Sequence, residues 1–317
     1  MPEPGPGQVL VKVAAAGVCG TELHFLDGLL APATTPITLG HEVAGTVESL
    51  GEGVGEVAVG DRVAVHYFHS CGRCGRCADG DDHLCDAPLG FLAFVNDGGF
   101  AEYVVVPARS AVAVPDEVEL VDAAPLCCSG TTAVHAARVA EITAGDVAVV
   151  YGVGGVGFAL VQVLLAAGAR VIAVARGSQR LALARELAAE TVQAGVQDIA
   201  QEVRRLTGGA GADVVFELVG TAETSTAALA CLGKRGALVY IGYSFDAITI
   251  SPLSIVVPEQ RILTSVGNRR SELVEALALA AAGRLQTRVE IRPLEQASAA
   301  LDDLRAGQVV GRVVLVP

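Results

Sequence analysis

The sequence contains no tryptophan and a single methionine, and aromatic residues make up only 4% of it, so any core must be built from aliphatic side chains. No uninterrupted run of eighteen apolar residues occurs, so no membrane span is expected. The opening stretch MPEPGPGQVLVKV lacks the basic and apolar regions of a signal peptide, and none is expected. Positive charge is also scarce. Lys and Arg total 22 against 35 Asp and Glu, a net charge of −13, which argues against a nucleic-acid or anionic-membrane partner. What remains is a chain of 317 residues, long enough for two domains with cores of their own. Its eight cysteines, without an export signal, point to reduced thiols or metal ligands in a cytoplasmic setting.

Four of those cysteines are clustered as Cys71-x2-Cys74-x2-Cys77-x7-Cys85. Glycine and charge fill the gaps, so the segment has almost no apolar residues to fold around. Cysteines three apart bridge poorly, which disfavours a pair of disulfides. A structural zinc ion satisfies four thiolates and closes a loop that lacks a core, with an iron–sulfur cluster as the alternative.

The texture of the chain changes near residue 131. Before it, residues 9–13 and much of 37–125 read as short Val-rich strands separated by turns, a β-rich domain into which the cysteine lobe, residues 71–85, is inserted. After it, short apolar strands at 147–152, 170–175, 212–220 and 236–243 alternate with helical patterns at 157–168 and 179–190. That alternation predicts an α/β domain with a doubly wound parallel sheet. A helix at 270–282, another near 294–304 and a closing strand GRVVLVP complete the chain. The expected domains are therefore 1–130, 131–266 and a C-terminal return, 267–317.

Within the α/β half, YGVGGVG places Gly152, Gly154 and Gly157 as G-x-G-x-x-G, with Gly155 and Val156 inside it, directly after a strand and opening a helix. This context predicts a Rossmann dinucleotide site, with pyrophosphate at the helix N-terminus. The next strand reads ARVIAVARGSQR. An NAD-binding unit usually ends that strand with a carboxylate for the ribose hydroxyls. Here Ala175 takes that position and Arg176, Ser178 and Arg180 follow, which predicts a 2′-phosphate and hence NADP in preference to NAD.

Three further stretches, AGVCGTELH, LGHEVAGTV and AAPLCCSGTT, stand in order with the cysteine lobe and the glycine loop. Together they resemble the zinc-dependent medium-chain alcohol dehydrogenases, over essentially the whole chain. The resemblance implies a β-rich GroES-like catalytic domain beside the Rossmann domain. It implies two zinc ions per chain, the catalytic one held by Cys19, His41 and Cys128. The motif A-A-P-x-x-C-x-G-x-T selects Cys128 over its neighbour Cys127, since the two point about 100° apart on a helix start. Thr21 and His24 are then expected to carry away the alcohol proton. Glu22 and Glu42 are expected to orient or tune the metal, Glu42 touching it transiently. Thr132, Leu218, Val219, Gly220, Val266, Gly267 and Asn268 are expected near the nicotinamide, and Arg312 at the pyrophosphate.

The implied activity is hydride transfer between a primary or secondary alcohol and nicotinamide, giving the aldehyde or ketone. Two other readings, a non-catalytic zinc-stabilised binding protein and a zinc-free quinone reductase, do not need Cys19, His41, Cys128, Thr21 and His24 together. The partner is a small alcohol or carbonyl compound, and a homodimer or homotetramer is expected from an apolar edge strand near RILTSVG. Relatives usually begin with a further β-hairpin before PEPGPGQVLVKV, so either the start is truncated or the hairpin has been lost, and loss would expose a sheet edge.

Overall fold

A computed structural model describes residues 1–317. The chain forms two compact units, Met1–Thr131 with Gly267–Pro317, and Thr132–Val266.

The first unit is organised by the long strand Gln8–Gly17, which alternates Val, Leu and Ala with smaller or polar residues. It pairs antiparallel with Glu42–Leu50, Tyr103–Pro107 and the closing strand Arg312–Val316, so that one strand binds three partners of a seven-stranded sheet. Val9, Val11, Val43, Val63, Val65 and Val106 fill the interior without exposure, as a sheet rich in β-branched residues and poor in aromatics packs. The register Gly17 to Glu42 sets the start of the second strand, with His41 immediately before it, against the end of the first. Helix Gly20–Leu26 follows that end directly.

The second unit is a six-stranded parallel sheet with strands in the order Glu190–Gln193, Arg170–Ala175, Val147–Tyr151, Ala212–Glu217, Leu232–Tyr240 and Arg261–Thr264. In chain order this is 3-2-1-4-5-6, a doubly wound arrangement whose ligand crevice lies at the carboxyl ends of the strands where the order reverses. Val149, Ile172, Val215 and Leu238 form its fully buried centre. The second unit thus has the predicted α/β architecture, with local differences. The expected helix over 179–190 ends at Glu186. Ala188 adopts φ +67°, and Glu190 opens an edge strand in register with Ile172. The helical period of the preceding residues runs on through this turn in sequence, but β-branched Thr191 and Val192 find a strand partner there. The strand expected at 236–243 spans Leu232–Tyr240, and the helix expected at 157–168 begins two residues earlier, as Gly155–Ala166. No helix is long and apolar enough to cross a membrane.

Candidate metal centres and cofactor site

All eight cysteines are free thiols. The ligand atoms of Cys71, Cys74, Cys77 and Cys85 lie within 4.8 Å of one another. Tetrahedral coordination at a zinc–sulfur distance of about 2.3 Å requires sulfurs roughly 3.8 Å apart. The Cys74 and Cys85 sulfurs are 3.8 Å apart, so the loop already has the spacing that a zinc ion needs. The backbone N–H of Arg73, with that of Cys74, draws the Cys71 thiol down to about 6, whereas burial pushes Cys77 up to about 12. Four sulfurs so close cannot all ionise unless a cation offsets their repulsion. Only a short helix, Gly75–Ala78, and a single turn, Asp82–Leu84, give the loop regular structure.

A second group, Cys19, His41, Glu42 and Cys128, is buried, and its ligand atoms also lie within 4.8 Å of one another. Cys19 is the N-cap of the helix that carries Thr21 and His24. Cys128 sits in a π-helical turn, Leu126–Gly130, between helices Leu120–Pro125 and Thr131–Val139. Such turns re-aim a side chain inside a continuous helix. The turn is tied by Ser129, whose hydroxyl donates to the Pro125 carbonyl at 2.7 Å, and by Thr131, which donates to the Cys127 carbonyl at 2.9 Å. It separates the adjacent cysteines as the sequence suggests. Cys128 joins the cluster, while the Cys127 thiol faces the Val43 carbonyl at 3.3 Å and is pushed up to about 12 by burial.

The cluster is held by two carboxylates. Glu22 accepts the Cys19 amide at 3.0 Å and lies 2.7 Å from Nδ1 of His41, leaving Nε2 as the nitrogen for a ligand. Burial alone would lower His41, but the Glu22 carboxylate and the Cys19 sulfur raise it well above its ordinary range. The Cys128 thiol holds Cys19 well below the usual thiol range, and Cys19 in turn raises Cys128. Glu42 is paired with Arg312, and both are buried. Burial pushes Glu42 up to about 8 against the pull of that guanidinium. Its second oxygen, Oε2, has no hydrogen-bond partner. Two sulfurs, an imidazole nitrogen and an orphaned carboxylate oxygen form a donor set that fits a zinc ion. Sequence alone does not show that Arg312 is Glu42's partner.

Thr21 is half-buried, its Oγ1 3.6 Å from the Cys19 sulfur, and His24 lies one turn further along, on the same face. Tyr67 and Phe94 stand edge-on to the His41 ring at centroid distances of 5.3 and 6.0 Å, giving the cluster an aromatic flank. Neither ring carries a sequence signal of its own.

In the second unit the glycine loop has the expected form. Gly152 adopts φ +112°, and a Cβ on Gly157 would come within 2.0 Å of the Gly152 carbonyl oxygen, so strand and helix can pack only as glycine. Gly154 caps helix Gly155–Ala166, whose second residue is Val156. Strand Arg170–Ala175 ends at buried Ala175, followed by exposed Arg176, with Ser178 opening the next helix and Arg180 half-exposed within it. Leu218, Val219 and Gly220 follow a neighbouring strand end. There the fully buried carboxylate of Glu217 accepts the amides of Val219 at 2.9 Å and Gly220 at 2.8 Å, a role unseen in the sequence. Thr132 is buried in helix Thr131–Val139 and Val266 is exposed. Asn268 is fully buried, bound to His66 and Tyr67, and Gly267 lies against Phe68. His66 stands in no motif of the sequence.

The profile of the alcohol dehydrogenase GroES-like domain matches residues 5–116, and that of the zinc-binding dehydrogenase domain matches residues 155–282. An alcohol dehydrogenase of Geobacillus stearothermophilus is 36% identical over 98% of this chain and 92% of its own length. An NAD-dependent alcohol dehydrogenase of Sulfurisphaera tokodaii is 36% identical over 100% of this chain and 94% of its own. The crystal structure of the Aeropyrum pernix alcohol dehydrogenase superposes with a TM-score of 0.94 at 34% identity, covering 100% of this chain and 94% of that one. The chain belongs to the zinc-dependent medium-chain alcohol dehydrogenase family.

Proposed function

We propose that this protein is an alcohol dehydrogenase that interconverts an alcohol with its aldehyde or ketone, with zinc at Cys19, His41 and Cys128 and NADP as its preferred cofactor. The observation that carries the reading is the buried cluster of two thiols and an imidazole, with Glu22 on the far nitrogen of that imidazole. Zinc, when bound, supplies a Lewis acid that lowers the pKa of an alcohol oxygen. The nicotinamide supplies the hydride acceptor at C4.

The chain's own residues do the rest. Glu22 orients His41 and fixes its tautomer. Glu42, fastened by Arg312, keeps a carboxylate oxygen beside the donor set. Thr21 Oγ1 takes the alcohol proton outward and His24 hands it on to solvent. Tyr67 and Phe94 present an apolar flank that favours a substrate with a hydrophobic portion and excludes water from the reacting atoms. The loop from Gly152 to Gly157 seats the pyrophosphate, with Arg312 as a further candidate contact, and Leu218, Val219, Gly220, Thr132 and residues 266–268 border the nicotinamide. The four-cysteine loop holds a second, structural zinc.

Relatives named NAD-dependent establish a nicotinamide cofactor for the family. The preference for NADP here rests on Ala175, Arg176, Ser178 and Arg180 alone. The test is reduction of NADP and NAD, followed by absorbance, across a panel of primary and secondary alcohols. Activity that disappears in Cys128→Ser and returns in neither cofactor supports the reading, whereas an active Cys128→Ser protein overturns it.

A further inference from the structure

The chain returns to its first unit at Gly267, and each of the four residues 267–270 has a partner in or beside the four-cysteine loop. Gly267 adopts φ +57°, and a Cβ there would lie 2.2 Å from the Phe68 ring. The Asn268 amide donates to the Tyr67 hydroxyl at 2.9 Å, and Nε2 of His66 lies 3.0 Å from both the main-chain and side-chain oxygens of Asn268. Arg269 pairs with Asp81 at 2.6 Å. The Arg270 amide points at both oxygens of Asp82, at 3.2 and 3.3 Å, and its Nε donates to the Arg109 carbonyl at 2.6 Å.

Asp82 lies at the centre of these contacts. It is buried, and it opens the single turn between Cys77 and Cys85. Its carboxylate meets the first amide of helix Arg270–Ala281, a donor that has no partner within the helix. One of its oxygens also lies 3.9 Å from Nδ1 of the same His66 that binds Asn268. The loop has no apolar core, so a metal held by its four sulfurs would fix the turn that carries Asp82.

We propose that Asp82 is a positioning residue: it carries the order that the metal imposes on the four-cysteine loop into residues 267–270. The loop is then the anchor of the return segment and not only a self-contained clip. The consequence for cofactor binding rests on the reading above that residues 266–268 border the nicotinamide.

Hydrogen–deuterium exchange on the zinc-loaded protein without cofactor tests the anchor separately from that reading. Asp82→Ala should speed exchange of the amides of residues 268–272 by about tenfold or more, with zinc content unchanged and the second unit unaffected. Asp82→Asn, which keeps an acceptor oxygen, should restore most of the protection. Removing the loop metal from the wild type with a chelator should produce the same exchange pattern, and doing so in Asp82→Ala should add little. If Asp82→Ala does not fold, Asp82→Asn and chelation carry the test. A folded, fully metallated Asp82→Ala protein with wild-type exchange at 268–272, or chelation without effect there, overturns the proposal. In the same Asp82→Ala protein, NADP and NAD affinities should fall several-fold. Faster exchange with unchanged affinities upholds the anchor and removes residues 266–268 from the cofactor site.

Discussion

The carboxylate of Glu22 lies 2.7 Å from Nδ1 of His41, and its other oxygen accepts the Cys19 amide at 3.0 Å. One side chain thus orients two of the proposed ligands. Glutamine in its place keeps the shape but exchanges one acceptor oxygen for a donor, so one of the two bonds is lost. We expect Glu22→Gln to weaken zinc at the buried cluster by about 10–100-fold. Competition with a graded series of chelators should show this for one zinc per chain and leave the other untouched. Unchanged affinity at both sites would remove Glu22 from the metal's support.

The two cysteine groups should separate folding from chemistry. Cys71→Ser removes a sulfur from a loop with no core, so it should lower thermal stability and raise protease sensitivity. Cys128→Ser changes a buried thiol of the proposed catalytic cluster among packed neighbours, so it should abolish turnover while the protein stays folded. Elemental analysis of the wild type should find two zinc ions per chain, and each variant should lose one. A wild type that holds a single zinc after careful handling contradicts the two-site reading.

Thr21 and His24 share a face of helix Gly20–Leu26, with Thr21 nearer to the Cys19 sulfur. Thr21→Ala should lower kcat by about 100-fold or more at neutral pH, with zinc content and cofactor dissociation constants near wild type. His24→Gln should be milder, because water can replace an outer member of a relay. Full activity of Thr21→Ala across neutral pH would show that the proton leaves by another route.

What could be read in advance divides along a physical line. The four cysteines and the glycine loop were legible because their chemistry demands a residue type at a fixed spacing, and spacing is visible in sequence. The buried cluster was legible only as a set, since Cys19, His41 and Cys128 are far apart in the chain. The pairings that hold them were not legible. Arg312 meets Glu42 only because the closing strand pairs with the first strand, which pairs in turn with Glu42–Leu50. His66 finds Asn268 across 202 positions, and neither stands in a motif. Glu217 reads as one charge at the end of an apolar strand, yet it folds the turn at Val219 and Gly220. The helix that stops at Glu186 failed for a related reason: the periodicity of 179–190 is helical, and only the neighbouring strand makes Glu190 onward extended.

The strand Arg261–Thr264 closes one edge of the parallel sheet, with Ile262 38% exposed. Leu253, Val256 and Val257 shortly before it are exposed as well. An unpaired apolar edge invites another strand. We expect a homodimer or homotetramer by light scattering at working concentration, and dissociation in Ile262→Lys, since a charge on an edge blocks pairing. A wild-type monomer refutes this, as does an Ile262→Lys protein of unchanged mass.

Cofactor preference turns on the end of strand Arg170–Ala175. A carboxylate there would accept the ribose hydroxyls of NAD and repel a 2′-phosphate. Buried Ala175 offers neither effect, and Arg176 beyond it is exposed. Ser178 opens the next helix, where backbone N–H groups favour an anion, and Arg180 follows within its first turn. A hydrogen bond from arginine to phosphate is charge-assisted and contributes about 1.5–3 kcal/mol, or roughly 10–100-fold in affinity. A neutral ribose hydroxyl lacks the negative charge that a 2′-phosphate presents to the guanidinium, so the contact there is weaker. We therefore expect kcat/KM to favour NADP by at least about tenfold, and Arg176→Ala to lose most of that margin while NAD kinetics stay within about twofold. The double variant Ala175→Asp with Arg176→Ala should reverse the preference, because the new carboxylate binds ribose and excludes phosphate at once. Equal kcat/KM for the two cofactors in the wild type, or a preference for NAD that survives Arg176→Ala, would show that these arginines are solvated helix-start charges and that NAD binds here without its usual acidic partner.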